Sequence, residues 1–323
     1  LTETNGGTVN LYALWKKTVT ITYNANGGSG APASQSGTMY NAQANVSITL
    51  SSTKPTRTGY TFLGWNTDKN ATSATYASGG SYSFNTDTIL YAIWDANSYK
   101  LTVNPNGGTW SGSSSSQSFT QDFGTTKSIP NPTAAPAGYK ITLNANTGSV
   151  SQTSVTSTKS FSSWSKSGSG SLSGTTYTFG AGNGTLTASY TNNSVTLPTP
   201  TKTGYHCTGW YTAASGGTKR ADAGGSYTPS AAETLYAQWA ANTYTIKFNG
   251  NGATGGSMSD LSMTYDSAKN LTSNAFTRTG YTFFGWSTNK DATKESYTNG
   301  QSVNNLTETN GGTVNLYALW KKT

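Results

Sequence analysis

Two aromatic motifs recur down this chain at near-constant separation, and no other feature limits its fold as much. The first reads Gly59-Tyr60-Thr61-Phe62-Leu63-Gly64-Trp65. It returns as Gly204-Tyr205 with Gly209-Trp210, and as Gly280-Tyr281-Thr282-Phe283-Phe284-Gly285-Trp286. The second reads Leu90-Tyr91-Ala92-Ile93-Trp94 and returns as Leu235-Tyr236 to Trp239, as Leu316-Tyr317 to Trp320, and as Leu11 to Trp15. Trp65 and Trp94 stand 29 residues apart, as do Trp210 and Trp239, while Trp286 and Trp320 stand 34 apart. Fixed spacing of this kind marks a repeat architecture, in which each copy is one small structural unit. Alternate side chains on a strand share a face, so Tyr60 and Phe62 enter one core together, as do Leu90, Ala92 and Trp94. Each such side chain contributes roughly 1.5–3 kcal/mol on burial, so a few rings decide whether a unit this small folds.

The rest of the composition fits short strands joined by many turns. Only 33% of residues are hydrophobic and 10% charged, a balance near that of disordered chains, but 20 Tyr, 10 Phe and 9 Trp supply the burial that disorder lacks. No stretch carries an apolar period of 3.6 with a cap at each end. The nearest to a helical turn is Asp266 to Ala275, with Asp266 placed as an N-cap. The net charge of +8 is spread thinly, with no basic run longer than a pair such as Lys16-Lys17 or Lys321-Lys322. Nucleic-acid binders concentrate such charge on one face, so nucleic acid is not an expected partner. The sign suits acidic glycans or wall polymers. Cys207 has no second cysteine to pair with. No apolar run approaches the roughly 20 residues of a membrane span. Leu1 opens no signal peptide, so the numbering is expected to start inside a longer protein.

Residues 1–18 are repeated by residues 306–323 at all 18 positions, a period of 305 residues. Residues 1–18 therefore read as the closing strand of a preceding repeat. The first complete unit, 19–94, opens with the alternating Val19-Thr20-Ile21-Thr22-Tyr23 and the turn Asn24-Ala25-Asn26-Gly27-Gly28, where Asn and Gly tolerate positive φ. The last unit, 243–323, opens with Tyr244 to Phe248 and the turn Asn249-Gly250-Asn251-Gly252. The middle, 99–239, is expanded and holds two openers, Tyr99 to Val103 and Tyr139 to Leu143. Two partitions account for it. In a nested one, 139–190 is a degenerate repeat inserted into a host completed by 195–239. In a tandem one, 99–190 precedes 193–239, which leaves the last piece without an opener, so nesting is the reading adopted. The links Asp95-Ala96-Asn97-Ser98 and Ala240-Ala241-Asn242 leave little slack and favour a semi-rigid rod.

The series of strand, Asn-Gly-Gly turn, G-Y-x-F-x-G-W and L-Y-A-x-W resembles the Listeria–Bacteroides repeat, the internalin-type B repeat of bacterial surface proteins. The likeness covers 19–320 in three units. It implies a mainly β fold of tandem small β-grasp-like antiparallel-sheet repeats, in an extracellular or cell-surface bacterial protein. At Tyr205-His206-Cys207-Thr208 the chain departs from the pattern, since His206 and Cys207 replace the usual Thr-Phe, and this puts the packing there in question.

His206 and Cys207, each the sole residue of its kind, read as packing residues. A zinc site needs three or four ligands and a Cys–His pair needs an orienting third group, whereas strand neighbours point to opposite faces. The stretches Asn66 to Asn70 and Asn289 to Asp291 read as solvated turns, too poor in carboxylates for calcium. Leu197-Pro198-Thr199-Pro200 reads as a strand-to-turn transition. Acidic residues are few and mostly isolated, so no enzyme, cofactor or metal is expected. Two functions fit these residues. One is a non-catalytic module of a long surface fibre, partnered by neighbouring copies in a covalent array or by head-to-tail self-assembly. The other is an adhesin module that stacks exposed rings on glycans or a host surface. Rings buried in every unit favour the fibre, and a row of exposed rings favours the adhesin.

Overall fold

The computed structural model describes residues 3–323; Leu1 and Thr2, the first two residues of the segment read as a closing strand, lie outside them. The fold is mainly β, and among the described residues every regular element is a strand. The chain forms two compact units. One comprises the residues up to Pro136 with Phe161–Ser189, the other Ala137–Ser160 with Tyr190–Thr323.

Each unit holds two repeats on one plan, seen most simply in the first. Its opening strand Lys16–Asn24 lies antiparallel to the edge strand Gln35–Tyr40 on one side. On its other side it runs parallel to the closing strand Thr88–Ala96, which is flanked in turn by the antiparallel signature strand Tyr60–Asn66. The last repeat copies this order with Leu261–Thr264, Thr243–Asn249, Gly312–Lys322 and Tyr281–Ser287. The sheets are therefore mixed rather than wholly antiparallel, because the first and last strands of a repeat meet at its centre and run the same way. The closing segment Val314 to Trp320 lies within Gly312–Lys322 and pairs with Thr243–Asn249 as well as with the signature strand.

A short ribbon accompanies the sheet in each of these repeats: Val46–Thr49 with Ser81–Phe84 in the first, Lys269–Asn270 with Ser302–Val303 in the last. The span Asp266 to Ala275 is not helical. Asp266 has φ of 58°, left-handed and unfit to start a helix, and Leu271 turns into the core. Trp65 is fully buried between Tyr23 (ring centroids 4.8 Å apart) and Phe62 (5.1 Å). Trp286 is buried likewise between Phe248 (4.9 Å) and Phe283 (5.0 Å). Phe62 and Phe283 also touch the closing tryptophans, Trp94 at 5.6 Å and Trp320 at 5.9 Å, so both rings of each pair share a core.

The middle of the chain follows neither partition. The opening strand Ser98–Asn104 pairs in parallel with Gly184–Asn192, whereas Lys140–Asn144 pairs in parallel with Glu233–Ala241. The two repeats interleave. The second is begun by Ser98–Asn104 and Gln117–Asp122 and completed by Lys159–Gly168 and Gly184–Asn192. The third takes its opening hairpin, Lys140–Asn144 with Ser154–Thr156, from inside the second and is completed by Tyr205–Tyr211 and Glu233–Ala241. The self-contained insert 139–190 is thus corrected: its opener and its closing strand belong to different cores. Leu101 and Val103 pack with Leu186, while Ile141 and Leu143 pack with Leu235 and Trp210. The Trp239 ring provides a physical reason. It covers the Asn144 to Gly148 turn so closely that a Cβ on Gly148 would stand 2.4 Å from it.

Truncating Trp286 to alanine removes a ring with no exposed surface. The expected loss is about 3–5 kcal/mol, the usual range for a buried large aromatic. Chemical unfolding measures it, and a loss below about 1 kcal/mol would remove Trp286 from the core.

Candidate functional site

The residues common to all four repeats form a clamp between opening and closing strands. Each opening strand ends in Asn-x-Asn: Asn24 and Asn26, Asn104 and Asn106, Asn144 and Asn146, Asn249 and Asn251. The first Asn side chain accepts the amide of the second at 2.8–2.9 Å, closing an Asx turn. The second Asn is left-handed, with φ of 47°, 50°, 46° and 45°, a conformation Asn tolerates better than most residues. Its Nδ2 then reaches across and donates to the backbone oxygen of Ala92, Ala188, Ala237 or Ala318, at 2.9–3.0 Å. All four alanines are fully buried. The closing tryptophan indoles add a second tie to three of these turns, donating to Ala25 O (3.0 Å), Ala145 O (3.0 Å) and Gly250 O (2.9 Å). A Cβ on Gly28 would stand 2.5 Å from the Trp94 ring, so that position requires glycine.

The signature tyrosines lie at the rim of the sheet. Arg57, Lys202 and Arg278 stand over Tyr60, Tyr205 and Tyr281 at 3.8, 4.0 and 4.1 Å from the ring centroids. Each of the first two tyrosines meets the following repeat within its own unit. Between repeats one and two, Asn97 donates its amide to Gly59 O and accepts from the Phe123 amide, both at 2.9 Å. The Phe123 ring packs edge-on against Tyr60 (5.6 Å), and a Cβ on Gly59 would meet it at 2.3 Å. Between repeats three and four, Asn242 bonds Gly204 O (2.9 Å) and the Tyr265 amide (2.8 Å), and Tyr265 packs on Tyr205 at 6.0 Å. There Tyr205 also donates to Asp266 (2.9 Å), and a polar cleft of about 670 Å³ opens beside Lys202, Tyr205, Tyr265, Asp266 and Glu308.

These contacts hold the fold together within each repeat and between the two repeats of each unit. The Listeria–Bacteroides repeat domain model matches residues 20–93, 174–238 and 244–318. The chain belongs to this family. The middle match of the Listeria–Bacteroides repeat begins at residue 174, beyond the opening strand Lys140–Asn144 that its closing strand uses. A protein of Evansella cellulosilytica named "Putative membrane protein" is 26% identical over 96% of this chain and 45% of its own length. Internalin H of Listeria monocytogenes is 37% identical over 41% of this chain and 22% of its own length. A "Putative Gly-rich membrane protein" of Evansella cellulosilytica is 34% identical over 37% of this chain and 14% of its own length. The chain thus spans less than half the length of each of these curated relatives. No solved structure matches it.

Where His206 and Cys207 depart from the repeat pattern, the junction is kept. Thr61 donates its hydroxyl to Asn97 Oδ1 at 2.5 Å, and His206 does the same for Asn242 Oδ1 through Nδ1 at 2.9 Å. An amide oxygen only accepts, so Nδ1 carries the proton. Cys207 takes the place of Phe62 and Phe283 against its core, where burial pushes the thiol above its ordinary pKa. Among the described residues no group of three or more His, Cys, Asp or Glu stands together as a metal site. The Asn66 to Asn70 stretch is a pair of Asx turns, Asn66 accepting from Asp68 N and Asp68 from Asn70 N, each at 2.9 Å. Reading the sequence alone missed the clamp Asn, the junction Asn and the rings Phe123 and Tyr265. The fourfold Asn-x-Asn was the signal available for the first.

Two measurements follow from this geometry. Asn251→Ala loses both bonds of its Nδ2, to Ala318 O and Lys290 O, and leaves alanine left-handed. The expected loss is about 2–3 kcal/mol in chemical unfolding, and Asn251→Gly should recover the backbone share of it. Asp266 is held below its ordinary pKa by hydrogen bonds from Asn305 and then Tyr205. Its contribution is therefore present above the unfolded value of about 3.9 and lost as pH falls through the lower folded value. Calorimetry should show melting insensitive to this group at pH 5–7 and falling below about pH 4, with a shallower fall in Asp266→Asn.

Proposed function

We propose that the chain is a non-catalytic structural module of a long extracellular fibre or stalk on a bacterial surface, built from 305-residue copies in series. The observation that carries this reading is the construction of the junctions. A single asparagine, Asn97 or Asn242, separates a closing strand from the next opening strand, and its backbone is bonded to the repeats on both sides. Such joints transmit position from one repeat to the next and leave little freedom between them. Units of under about 100 residues are marginal alone, so neighbour contacts of this kind also stabilise them. The names of the relatives, two membrane proteins and an internalin, support a surface location.

The adhesin alternative draws less support. Trp65, Trp210 and Trp286 are fully buried, and the closing tryptophans Trp94, Trp239 and Trp320 are partly buried over their turns. The signature tyrosines are capped by a cation, and in two cases by a neighbouring ring. Electron micrographs of the native surface material test the fibre reading. Filaments with a repeat set by the 305-residue period are expected, and separate globular particles would refute it.

A further inference from the structure

The last repeat carries an extension that the first and third lack. Tyr82 and Tyr227, at matching places in their ribbons, precede Leu90 and Leu235 by 8 residues, whereas Val303 precedes Leu316 by 13. The whole excess of the 34-residue tryptophan spacing over 29 therefore lies between Val303 and Leu316. This added loop is not slack. Asn305 holds Asp266 at two points, donating to Oδ1 at 2.7 Å and accepting from the amide at 2.6 Å. The Leu306 amide donates to the Tyr244 hydroxyl (3.2 Å), and the Gly311 amide to Thr243 O (2.7 Å). Glu308 O accepts from the junction residue Asn242 at 2.6 Å. The loop is thus laid against the joint between repeats three and four, where Glu308 becomes one wall of the cleft of about 670 Å³.

We propose that this cleft binds a sugar residue bearing a free primary amine, an amino-hexose unit of a polysaccharide, whose ammonium group is held by Glu308 and Asp266. Both carboxylates act on Tyr265, whose hydroxyl pKa is raised first by desolvation and then by the charges of Glu308 and Asp266. Carboxylates beside a tyrosine ring bind an ammonium group by charge-assisted hydrogen bonds and by cation–π attraction. Asp266 is already positioned by Asn305 and Tyr205, while the Glu308 carboxylate makes no ion pair or hydrogen bond among the described residues. In a chain of net charge +8, the pair is a local reversal of sign. The volume lies within the range of ligand clefts, about 300–1,000 Å³. The other walls carry the hydroxyls of Thr147, Ser149, Thr201 and Thr203, which suit a hydroxylated ligand. The backbones of Ser149 and Thr201 are bonded to each other, both at 2.8 Å, so they offer a peptide no strand edge. The joint between repeats one and two provides a contrast. Its cleft of about 410 Å³ is lined by Ser29, Thr56, Arg57, Thr58 and Phe123, with no carboxylate, and Gly124 follows Phe123 where Asp266 follows Tyr265.

Titration of the whole chain with a glucosamine oligomer tests this, beside the matching N-acetylglucosamine oligomer, a glucose oligomer and a lysine oligomer. Magnetic resonance should show the glucosamine oligomer moving the signals of Tyr265 and Glu308 while those of Phe123 stay in place. Acetylation of the amine should weaken binding at least about tenfold, the scale of one charge-assisted hydrogen bond. Glu308→Gln should weaken it by a similar factor and leave thermal unfolding unchanged, because the Glu308 side chain holds nothing in the fold. No binding, equal binding of the acetylated or glucose oligomer, or equal shifts at Phe123 would overturn the proposal. So would binding untouched by Glu308→Gln. A lysine oligomer that binds as tightly as the sugar would overturn it too, by making the cleft a site for basic peptides. None of these outcomes depends on how copies are arranged, which micrographs of native material judge separately.

Discussion

One carboxamide in each repeat carries the fold: that of Asn26, Asn106, Asn146 or Asn251, bonded to the backbone of a buried alanine in the closing strand. The strands it joins are the first and the last of a repeat, the pair most distant in sequence. Bringing such ends together costs loop-closure entropy, and parallel pairing offers no tight turn to fix the register. A one-residue slip would turn every core side chain of the closing strand outward. The Asx turn and the left-handed Asn hold the carboxamide at one depth along the strand. In the first and third repeats the closing tryptophan's indole bonds a backbone oxygen of the turn and its ring occupies the space left by Gly28 or Gly148. In the last, where Ala253 takes that place, the Trp320 indole bonds Gly250 O. Register is thus set at the turn, and the rest of the sheet follows from it.

Much of the core was legible from spacing alone. Leu-x-Ala-x-Trp puts Leu90 and Ala92 in the core with Trp94 packed against it, and Phe62 joins them while Tyr60 stays at the rim. Trp65 and Trp286, which alternation alone would turn to the other face, are brought into the core by the bulges between Phe62 and Gly64 and between Phe283 and Gly285. The interleaving of the second and third repeats was not legible. The openers Leu101-Thr102-Val103 and Ile141-Thr142-Leu143 carry the same alternating pattern, so local periodicity cannot say which closing strand each will join. The clamp was hidden for a related reason. Asn near Gly is a turn signal by itself, and a second duty across 66 to 91 residues leaves no local trace.

The junctions show how a substitution that breaks a motif can preserve its chemistry. His206 stands where threonine does in the first and last repeats, and its Nδ1 proton meets the oxygen of Asn242 as the Thr61 hydroxyl meets that of Asn97. Cys207 gives the core less volume than phenylalanine, and Trp210 beside it remains fully buried with its indole bonded to Pro198 O at 2.9 Å. What the repeat preserves at this point is a donor on the outer face and an apolar group on the inner one.

The parallel pairing of first and last strands has a mechanical consequence. Tension on a chain of such repeats pulls the opening strand from its N-terminal end and the closing strand from its C-terminal end. Because the two run the same way, those are opposite ends of one ladder, and the load falls on the strand pair in shear. The backbone bonds between Thr243–Asn249 and Gly312–Lys322, together with the Asn251 carboxamide and the Trp320 indole, then resist as a set instead of opening one by one. A hairpin pulled from its two free ends would unzip at far lower force. The arrangement that sets the two most sequence-distant strands of a repeat side by side also makes each repeat hard to pull apart.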